Sequence, residues 1–579
     1  MSKARRSEPQ PAPQGPHEPP EPSEPHVGLG DVAPTDPAVD AAEEAALPSV
    51  AAPGLVRASL LVAVGTALSR LTGFARLAAT AYAIGFERLT DTYTLANTTP
   101  NIVYELLLGG VLSATLVPIF VQQHEEEDDE GTSAVVTVAV ALLVAVCVVA
   151  FLAAPLIVRL YTVGVEGDVA SDQQVVATDL LRLFVPQILF FGLTAIGTAL
   201  LNARRRFATP AFAPTLNNVA VTAMLLALPR LAGGTPTLEQ VRDDPVLLLT
   251  LGLGTTAGII LMTVALLPAL KRHHVHLRWN LDLRHPAVRS VGRLTGWTLG
   301  YVLTNQLSLL VVLILANRER GGVSSYTGAF IFFQLPHALV AVSLMTTLVP
   351  ELSSAAQRGD HPTYRDRFST GVRLMALVIL PAATGYVVLA RPIVSALLER
   401  GALSVDSAVL TADTLAAFAA GLFGFSIYLF ALRGFYALRD TRTPFLLNVG
   451  ENALNGVLAL ALVGPFGIPG LAGAYAVAYT VAAVVALFVL QRRVGSLDGR
   501  RAARSIAKVA AACVAMGIAV ALVARSVGDS DGAGAVLRTG AGVAVGALVF
   551  ALAVVLLRVE EVAPLVARLR RATGSAGPA

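Results

Sequence analysis

The stretch ALSRLTGFARLAATAYAIGF, residues 67–86, places two arginines inside a long apolar segment. Arg70 and Arg76 lie on either side of Gly73, and the apolar segment begins near residue 55. An arginine at the centre of a membrane-spanning helix costs roughly 2.5–3.5 kcal/mol even on the scales that give the lowest values. Charged residues at this depth therefore indicate a function, and they usually face a water-filled cavity between helices.

The composition of the 579-residue chain predicts a membrane protein. Hydrophobic residues make up 54% and charged residues 14% of the chain, whereas soluble domains have about 25% charged residues. With so few charges, lipid must cover much of the surface. The net charge of +3 does not indicate a nucleic-acid partner, because the basic residues fall in the loops of a membrane topology. Cys147 and Cys513 lie far apart in apolar runs and predict neither a disulfide nor a metal site.

Apolar segments of membrane-spanning length recur from residue 54 onward and predict about fourteen transmembrane helices. The predicted spans are residues 55–84, 92–122, 134–161, 175–202, 210–230, 246–270, 288–316, 322–352, 368–397, 407–436, 444–464, 467–490, 503–526 and 535–558. With the N-terminus inside, clustered arginines fall in the inside loops, as is typical of cytoplasmic loops. The sequence therefore predicts a multi-pass protein of the cytoplasmic membrane with both termini in the cytoplasm.

Three short motifs recur at a nearly constant spacing and indicate an internal repeat. ATLVP and TTLVP are offset by 232 residues, RRRFATP and RDTRTP by 234, and the prolines of TTPN and FQLP by 236. Each copy has six helices, so both copies point the same way across the membrane. The same offset places Arg70 opposite Gln306. We expect an all-α protein with two six-helix lobes in a parallel pseudo-repeat, followed by two C-terminal helices.

The predicted domain organisation follows from these spans. A Pro/Glu-rich tail is expected to be disordered, and a basic linker joins the lobes. The predicted units are the tail (1–53), the N-lobe (54–270), the linker (271–286), the C-lobe (287–491), helices 13 and 14 (492–560) and a basic cytoplasmic tail (561–579).

Arg70 and Arg76 are the main candidates for a binding site. Two guanidinium groups suit a diphosphate, because each can hold phosphate oxygens with two parallel hydrogen bonds. Asp91 and Glu105 are candidate partners, and the alternative is that the arginines only pack or reach the interface. Further polar residues in spans could line the same cavity, form a cation site or join helices: Arg182, Glu451, Asn452 and Asn455.

Other chemistry is not indicated by the motifs. The sequence has no GxxxxGK[ST] nucleotide-binding motif and no convincing nucleophile-and-base set. HHVH, residues 273–276, has only loose metal-ligand spacing and is more typical of a solvated loop. We therefore expect no enzyme activity, no cofactor and no metal.

Several motifs resemble the MurJ/MviN family of lipid II flippases, part of the multidrug/oligosaccharidyl-lipid/polysaccharide exporter superfamily. The similarity covers about residues 54–560, and NARRRFATPAFAPTLNN is its most specific block. The matching motifs are SRLTGFAR (69–76), TDTYTLANTTPN (90–101), LVPIF (116–120), NARRRFATPAFAPTLNN (202–218), FFQLPHALVAVSLMTTLVP (332–350) and RGFYALRDTRTP (433–444).

The resemblance implies a flippase for lipid II, the undecaprenyl-diphosphate-linked disaccharide-pentapeptide of peptidoglycan biosynthesis. It implies that two lobes rock around a cationic cavity, that helices 13 and 14 hold the lipid tail, and that membrane lipids and cell-wall synthesis proteins are partners. Arg70 and Arg76 match family arginines of the first span, and Asp91 matches the aspartate that opens the second. Ser69, Gly73 and Asn101 belong to the matched motifs, and with Glu105 and Gln306 they complete the predicted site.

The sequence also departs from the family pattern. Tyr104 and Glu105 stand where the family often has an arginine pair, and Ile331 stands where it often has another cavity arginine. Three alternatives therefore remain: a flippase for another polyprenyl-diphosphate-linked glycan, a drug/cation antiporter of the same superfamily, and a non-transporting scaffold for cell-wall synthesis.

Overall fold

The computed structural model describes residues 53–105, 112–126, 128–273, 275, 277–289, 296–528 and 532–563. The predicted tails, apart from Pro53 and residues 561–563, lie outside these residues, as do two histidines of the HHVH motif. All the regular elements within the described ranges are helices. The predicted all-α class is therefore confirmed.

The first half of the chain forms two-turn to nine-turn helices around a shared apolar core. They are α1 (Pro53–Ile84), α2 (Arg88–Tyr104), α3 (Leu112–Glu125), α4 (Asp129–Tyr161), α5 (Asp168–Phe184), α6 (Pro186–Ala203), α7 (Ala208–Leu231), α8 (Leu238–Asp243), α9 (Pro245–Val264) and α10 (Leu267–Arg272).

The second half continues in the same way, with a π-helical turn at His337–Ala341 and a final 3₁₀ turn at Glu560–Val562. Its helices are α11 (Gly296–Ala316), α12 (Gly322–Pro336), α13 (Val342–Gln357), α14 (His361–Leu398), α15 (Val405–Ala420), α16 (Leu422–Ala437), α17 (Arg442–Val494), α18 (Gly499–Ser526) and α19 (Gly532–Leu556).

Ten helices of the described part are long and apolar enough to cross a membrane, and α15 and α16 add an eleventh span if their 48° bend lies within one crossing. The 53 residues of α17 would extend about 80 Å, well over the roughly 30 Å hydrocarbon core of a bilayer. The helix is broken at Gly467, where φ is 58° and ψ is −142°, so it contains the predicted spans 444–464 and 467–490. The total of fourteen stays a prediction.

Two large hydrophobic clusters hold the helices together. One is built from side chains of α1 to α10, and the other mainly from side chains of α11 to α17. Leu77, Ala81 and Phe86, from the last turns of α1 and the residues after it, belong to the second cluster. The two halves of the chain are therefore in contact at the end of the molecule where α1 finishes, which we call the closed end. The exact lobe boundaries stay a prediction.

Helices α18 and α19 pack against each other and against α14. Their contacts with α14 include Cys513, Met516 and Val520 of α18 in small apolar clusters. Arg373 of α14, almost fully buried, is 3.0 Å from the carboxylate of Glu561 beyond α19. This pair anchors the segment that follows α19 to α14.

The closed end requires glycine at position 321. Gly321 has φ of 74°, in the left-handed region that costs other residues about 1–2 kcal/mol. A Cβ atom there would also overlap the carbonyl oxygen of Phe86. The two halves can approach this closely because Gly321 has no Cβ atom.

We predict that Gly321→Ala lowers the melting temperature of the detergent-solubilised protein more than Gly233→Ala does. Gly233 also has a positive φ, 69°, but has open space around its Cβ position, so its substitution carries only the backbone strain of about 1–2 kcal/mol. Thermal unfolding then compares Gly233→Ala, which has backbone strain alone, with Gly321→Ala, which has backbone strain and an overlap with the Phe86 carbonyl oxygen. Equal melting temperatures would show that the contact with Phe86 contributes nothing.

Candidate functional site

A cavity of about 380 Å³ lies between the two halves of the chain. Its wall is formed by α1, α2, α11, α12 and α17, with one residue each from α6 and α7 and two residues from α9. Five of the eight predicted site residues line it: Gly73, Arg76, Asn101, Glu105 and Gln306. The repeat offset had pointed to Gln306 through its relation to Arg70, and the structure brings Gln306 to the same cavity as Arg76.

Arg70 and Ser69 are not part of the cavity wall. Six residues along an α-helix separate Arg70 from Arg76 by about 9 Å along the axis and by about 120° around it, and α1 continues through Gly73 as an uninterrupted helix. The Ser69 carbonyl accepts a hydrogen bond from Asn218 Nδ2 at 3.1 Å, which fixes α1 against α7. Of the expected pair of arginines, the wall therefore contains Arg76.

The wall is polar rather than strongly cationic. Arg76 and Glu105 are the charged residues among the described residues that line it. Ile331, at the position where the family often has an arginine, also lines the cavity. The cationic cavity expected from the resemblance is thus reduced to one arginine facing a cavity that also contains a carboxylate.

Neutral amide and hydroxyl side chains provide the remaining polarity of the wall. Asn97, Asn217, Gln306 and Asn455 line the cavity, and the carbonyl oxygen of each amide is buried without a hydrogen-bond partner among the described residues. A buried polar atom without a partner costs about 1–3 kcal/mol. The cavity wall therefore keeps several hydrogen-bonding groups available for a polar ligand.

A second set of amides joins α11 to α17 beside the cavity. Asn448 and Asn452 each donate to the Oδ1 atom of Asn305, at 2.9 and 2.8 Å, and Asn455 donates to Ser308 Oγ at 3.2 Å. Of the three roles that the sequence left open for Asn452 and Asn455, the structure shows two: both residues line the cavity and both join helices. Arg182 instead lies 3.8 Å from Asp179, with both side chains substantially exposed, away from the cavity.

Three tyrosines of the wall have no recognisable signal in the sequence. Tyr326, Tyr475 and Tyr479 line the cavity, and the rings of Tyr475 and Tyr479 are 4.3 Å apart. Nothing in their local sequence separates them from ordinary core aromatics. The asparagines had a detectable signal, since residues 448, 452 and 455 follow the i, i+4, i+7 spacing of one helix face.

Asp91 has a different position from the one expected of a cavity residue. Its carboxylate is fully buried outside the cavity wall. It accepts hydrogen bonds from the N–H of Gly321 (2.7 Å), the N–H of Ser324 (2.9 Å) and the hydroxyl of Ser324 (2.7 Å). Asp91 thus caps the start of α12 from α2, and we call this set of bonds the Asp91 latch.

Neighbouring contacts reinforce the latch at the closed end. Arg88 Nη1 donates to the carbonyl of Asn317 at 2.6 Å, and Arg320 pairs with Glu87. The Ala402 N–H donates to the carbonyl of Tyr82 at 2.9 Å. Because each contact joins the first half of the chain to the second, the cavity is closed on this side.

Many apolar helices in two packed halves, with a polar cavity between them that is closed at one end, define the fold of a polytopic membrane carrier. The chain belongs to the MurJ family: the family described as "Lipid II flippase MurJ" matches residues 80–537.

Individual relatives and solved structures agree with this assignment. The chain is 30% identical to the lipid II flippase MurJ of Burkholderia cenocepacia, over 72% of this chain and 80% of that protein. It is 28% identical to a probable lipid II flippase MurJ of Haemophilus influenzae, over 79% and 90%. A solved structure of lipid II flippase MurJ in an inward closed conformation superposes with a TM-score of 0.71 at 20% identity, covering 86% of this chain and 99% of that one.

The fold is also similar to that of a multidrug resistance transporter of the MATE family in an inward-facing conformation. Its TM-score is 0.60 at 13% identity, over 75% of this chain and 99% of that chain. At this level of identity the similarity concerns the fold alone.

We predict that Asp91→Ala opens the closed end. Hydrogen bonds to a charged group contribute about 1.5–3 kcal/mol each, and 1.4 kcal/mol is a tenfold change in an equilibrium. In a protein with Cys147 and Cys513 replaced by alanine, a cysteine introduced by Gln306→Cys should react at least about ten times faster with a membrane-impermeant thiol reagent supplied from the closed-end side.

Asp91→Asn keeps one acceptor oxygen and should have a smaller effect. Asp168→Ala is the matched control, because Asp168 is an exposed acid in the first turn of α5. Unchanged labelling in Asp91→Ala, with the folded protein present in normal amount, would rule out the latch as the closing element.

Proposed function

We propose that this protein flips lipid II from the inner to the outer leaflet of the cytoplasmic membrane by alternating access. The observation that carries the proposal is the placement of Arg76, on a helix of the first half, in a polar cavity between the two halves of a chain of the MurJ family. Its action is transport, with no covalent change to the lipid.

In this proposal Arg76 binds the diphosphate. A guanidinium group donates parallel hydrogen bonds to phosphate oxygens and keeps its charge at any physiological pH. Arg70 lies about 9 Å nearer to the start of α1, and we assign to it a contact with the diphosphate as the substrate enters or leaves. Asp91 acts through the latch, which orients α2 and α12, and not by touching the substrate.

The amides of the wall suit the rest of the head group. Sugar hydroxyls and peptide amides are neutral donors and acceptors, and the unpartnered oxygens of Asn97, Asn217, Gln306 and Asn455 offer acceptors for them. Glu105 and Ile331 reduce the positive charge at positions where arginine is common in the family. We infer that binding relies less on charge here and more on hydrogen bonds to the glycan and peptide.

The closed end corresponds to the outer face of the membrane in this proposal. The clustered arginines of the loops favour cytoplasmic termini, so α1 begins on the cytoplasmic side and ends at the outer face. The latch contacts then seal the outer side while the substrate enters from the inside. Rocking of the two halves, with breakage of the latch, exposes the head group to the outside.

A flippase for another polyprenyl-diphosphate-linked glycan remains the second candidate, and the observation in its favour is the presence of Glu105 and Ile331 in the cavity wall. Transport assays with lipid II and with a polyprenyl diphosphate that carries a different glycan distinguish the two. Faster transport of the second lipid would reassign the substrate while leaving the mechanism unchanged.

We predict that Arg76→Ala reduces lipid II translocation at least tenfold, because the loss of a charge-assisted hydrogen bond costs about 1.5–3 kcal/mol. Arg76→Lys should restore only part of the activity, since an ammonium group cannot form the two parallel bonds. Translocation is measured as the appearance of lipid II in the outer leaflet of cells in which each variant replaces the native protein.

Arg230→Ala is the control, because Arg230 is exposed near the end of α7 and outside the cavity. Each variant must first be shown to reach the membrane in normal amount. Unaltered lipid II translocation by Arg76→Ala would remove Arg76 from the binding site.

A further inference from the structure

The segment between α10 and α11 presents a row of apolar side chains to the outside. Leu277, Trp279, Leu281 and Leu283 are 45%, 72%, 58% and 63% exposed. Asn280 and Asp282, which alternate with them, are partly buried. The backbone of residues 277–283, which we call the linker strap, is therefore arranged with its apolar side chains outward and its short polar ones inward.

Hydrogen bonds attach the linker strap to the first turns of α4. The N–H of Arg278 donates to Ser133 Oγ at 3.2 Å, and the N–H of Asn280 donates to Thr137 Oγ1 at 3.1 Å. Two residues of extended chain span about 6.6 Å, and four residues of helix span about 6 Å. The strap therefore runs along α4 in register with one face of the helix.

The length of α4 gives the depth of the strap. Its 33 residues extend about 50 Å, so roughly 10 Å projects beyond the hydrocarbon core at each end of a centred helix. Ser133 and Thr137 lie about 6 and 12 Å from the start of the helix at Asp129. The strap is thus at the level where head groups meet acyl chains, on the side of the membrane where α1 begins.

The chemistry of the strap matches this layer. Trp is enriched at membrane interfaces, and Lys and Arg reach from there to lipid phosphates. Lys271, Arg272, Arg278 and Arg284 are all exposed on or beside the strap. Acidic residues at the start of α4 and just before it lower the net charge of this surface; one of them, Asp128, lies 3.9 Å from His285 Nε2. Binding of the strap to a bilayer therefore does not require anionic lipid.

We propose that the linker strap lies in the interfacial layer of the bilayer and holds the connection between the two halves at a fixed depth. Leu277, Trp279, Leu281 and Leu283 insert among the upper acyl chains, and the flanking cations contact phosphate groups. The strap is fixed to α4 on one side and continues towards α11 on the other. It therefore acts as a lipid-held tether about which the halves move.

The two tryptophans of the chain, Trp279 and Trp297, allow a direct test. Trp297→Phe leaves Trp279 as the single fluorophore, and Trp279→Phe leaves Trp297 as the reference. Each variant is reconstituted into vesicles of phosphatidylcholine brominated either near the head group or near the methyl end of its chains. Trp279 should be quenched at least twice as strongly by the bromine near the head group, and only weakly by aqueous acrylamide.

A second comparison uses the two faces of the strap. Leu281→Asp, in the single-Trp279 protein, should reduce quenching by the head-group-proximal bromine at least twofold and increase quenching by acrylamide. Asp282→Asn, which changes the face that points away from lipid, should leave both unchanged. Strong acrylamide quenching without bromolipid quenching, or shielding of Trp279 from both quenchers as a second protein copy would produce, would overturn the proposal.

Discussion

The closed state of this protein depends on the hydrogen bonds between the buried carboxylate of Asp91 and the start of α12. A fully buried charge must have hydrogen-bond partners, and Asp91 has three, all from the start of α12 on the other half of the chain. The positive end of the α12 helix dipole adds to their effect. Because these donors come from the other half, the carboxylate is satisfied only while the two halves are in contact. The hydrogen bonding of one carboxylate on α2 thus depends on whether the cavity is closed at this end.

The cavity shows how the chain limits the cost of polar groups inside a membrane. One arginine and one carboxylate are present in its described wall, together with a larger number of amides and hydroxyls. Neutral groups are less costly to bury than charges, and some of them are used to join α11 and α17. The others remain available, which suits a large head group with many hydroxyl and amide groups around one diphosphate. In the proposed function, Arg76 supplies the positive charge that pairs with the diphosphate.

Much of this organisation can be predicted from the sequence, because the apolar runs and the intramembrane arginines are local features. The class of protein follows from such patterns, and they also single out Arg76 and Gln306, which line one cavity. The repeat offset itself paired Gln306 with Arg70, which lies outside the wall. The role of Asp91 does not, since its partners are more than 200 residues away and two of its three hydrogen-bond donors are backbone amides. The position of Arg70 outside the wall depends on how α1 rotates against α7, which is decided by packing. Packing also decides which tyrosines reach the cavity, so their sequence does not separate the tyrosines of the wall from those of the core.

The most direct test of the central claim is lipid II transport by the purified protein in vesicles. Fluorescently labelled lipid II is placed in both leaflets, a membrane potential is imposed, and the exposed fraction is followed with a membrane-impermeant quencher. The account predicts exchange of lipid II between leaflets that is much faster than in protein-free vesicles and is lost when the two halves are cross-linked across the Asp91 latch. Exchange no faster than in protein-free vesicles, or exchange that persists in the cross-linked protein, would contradict it.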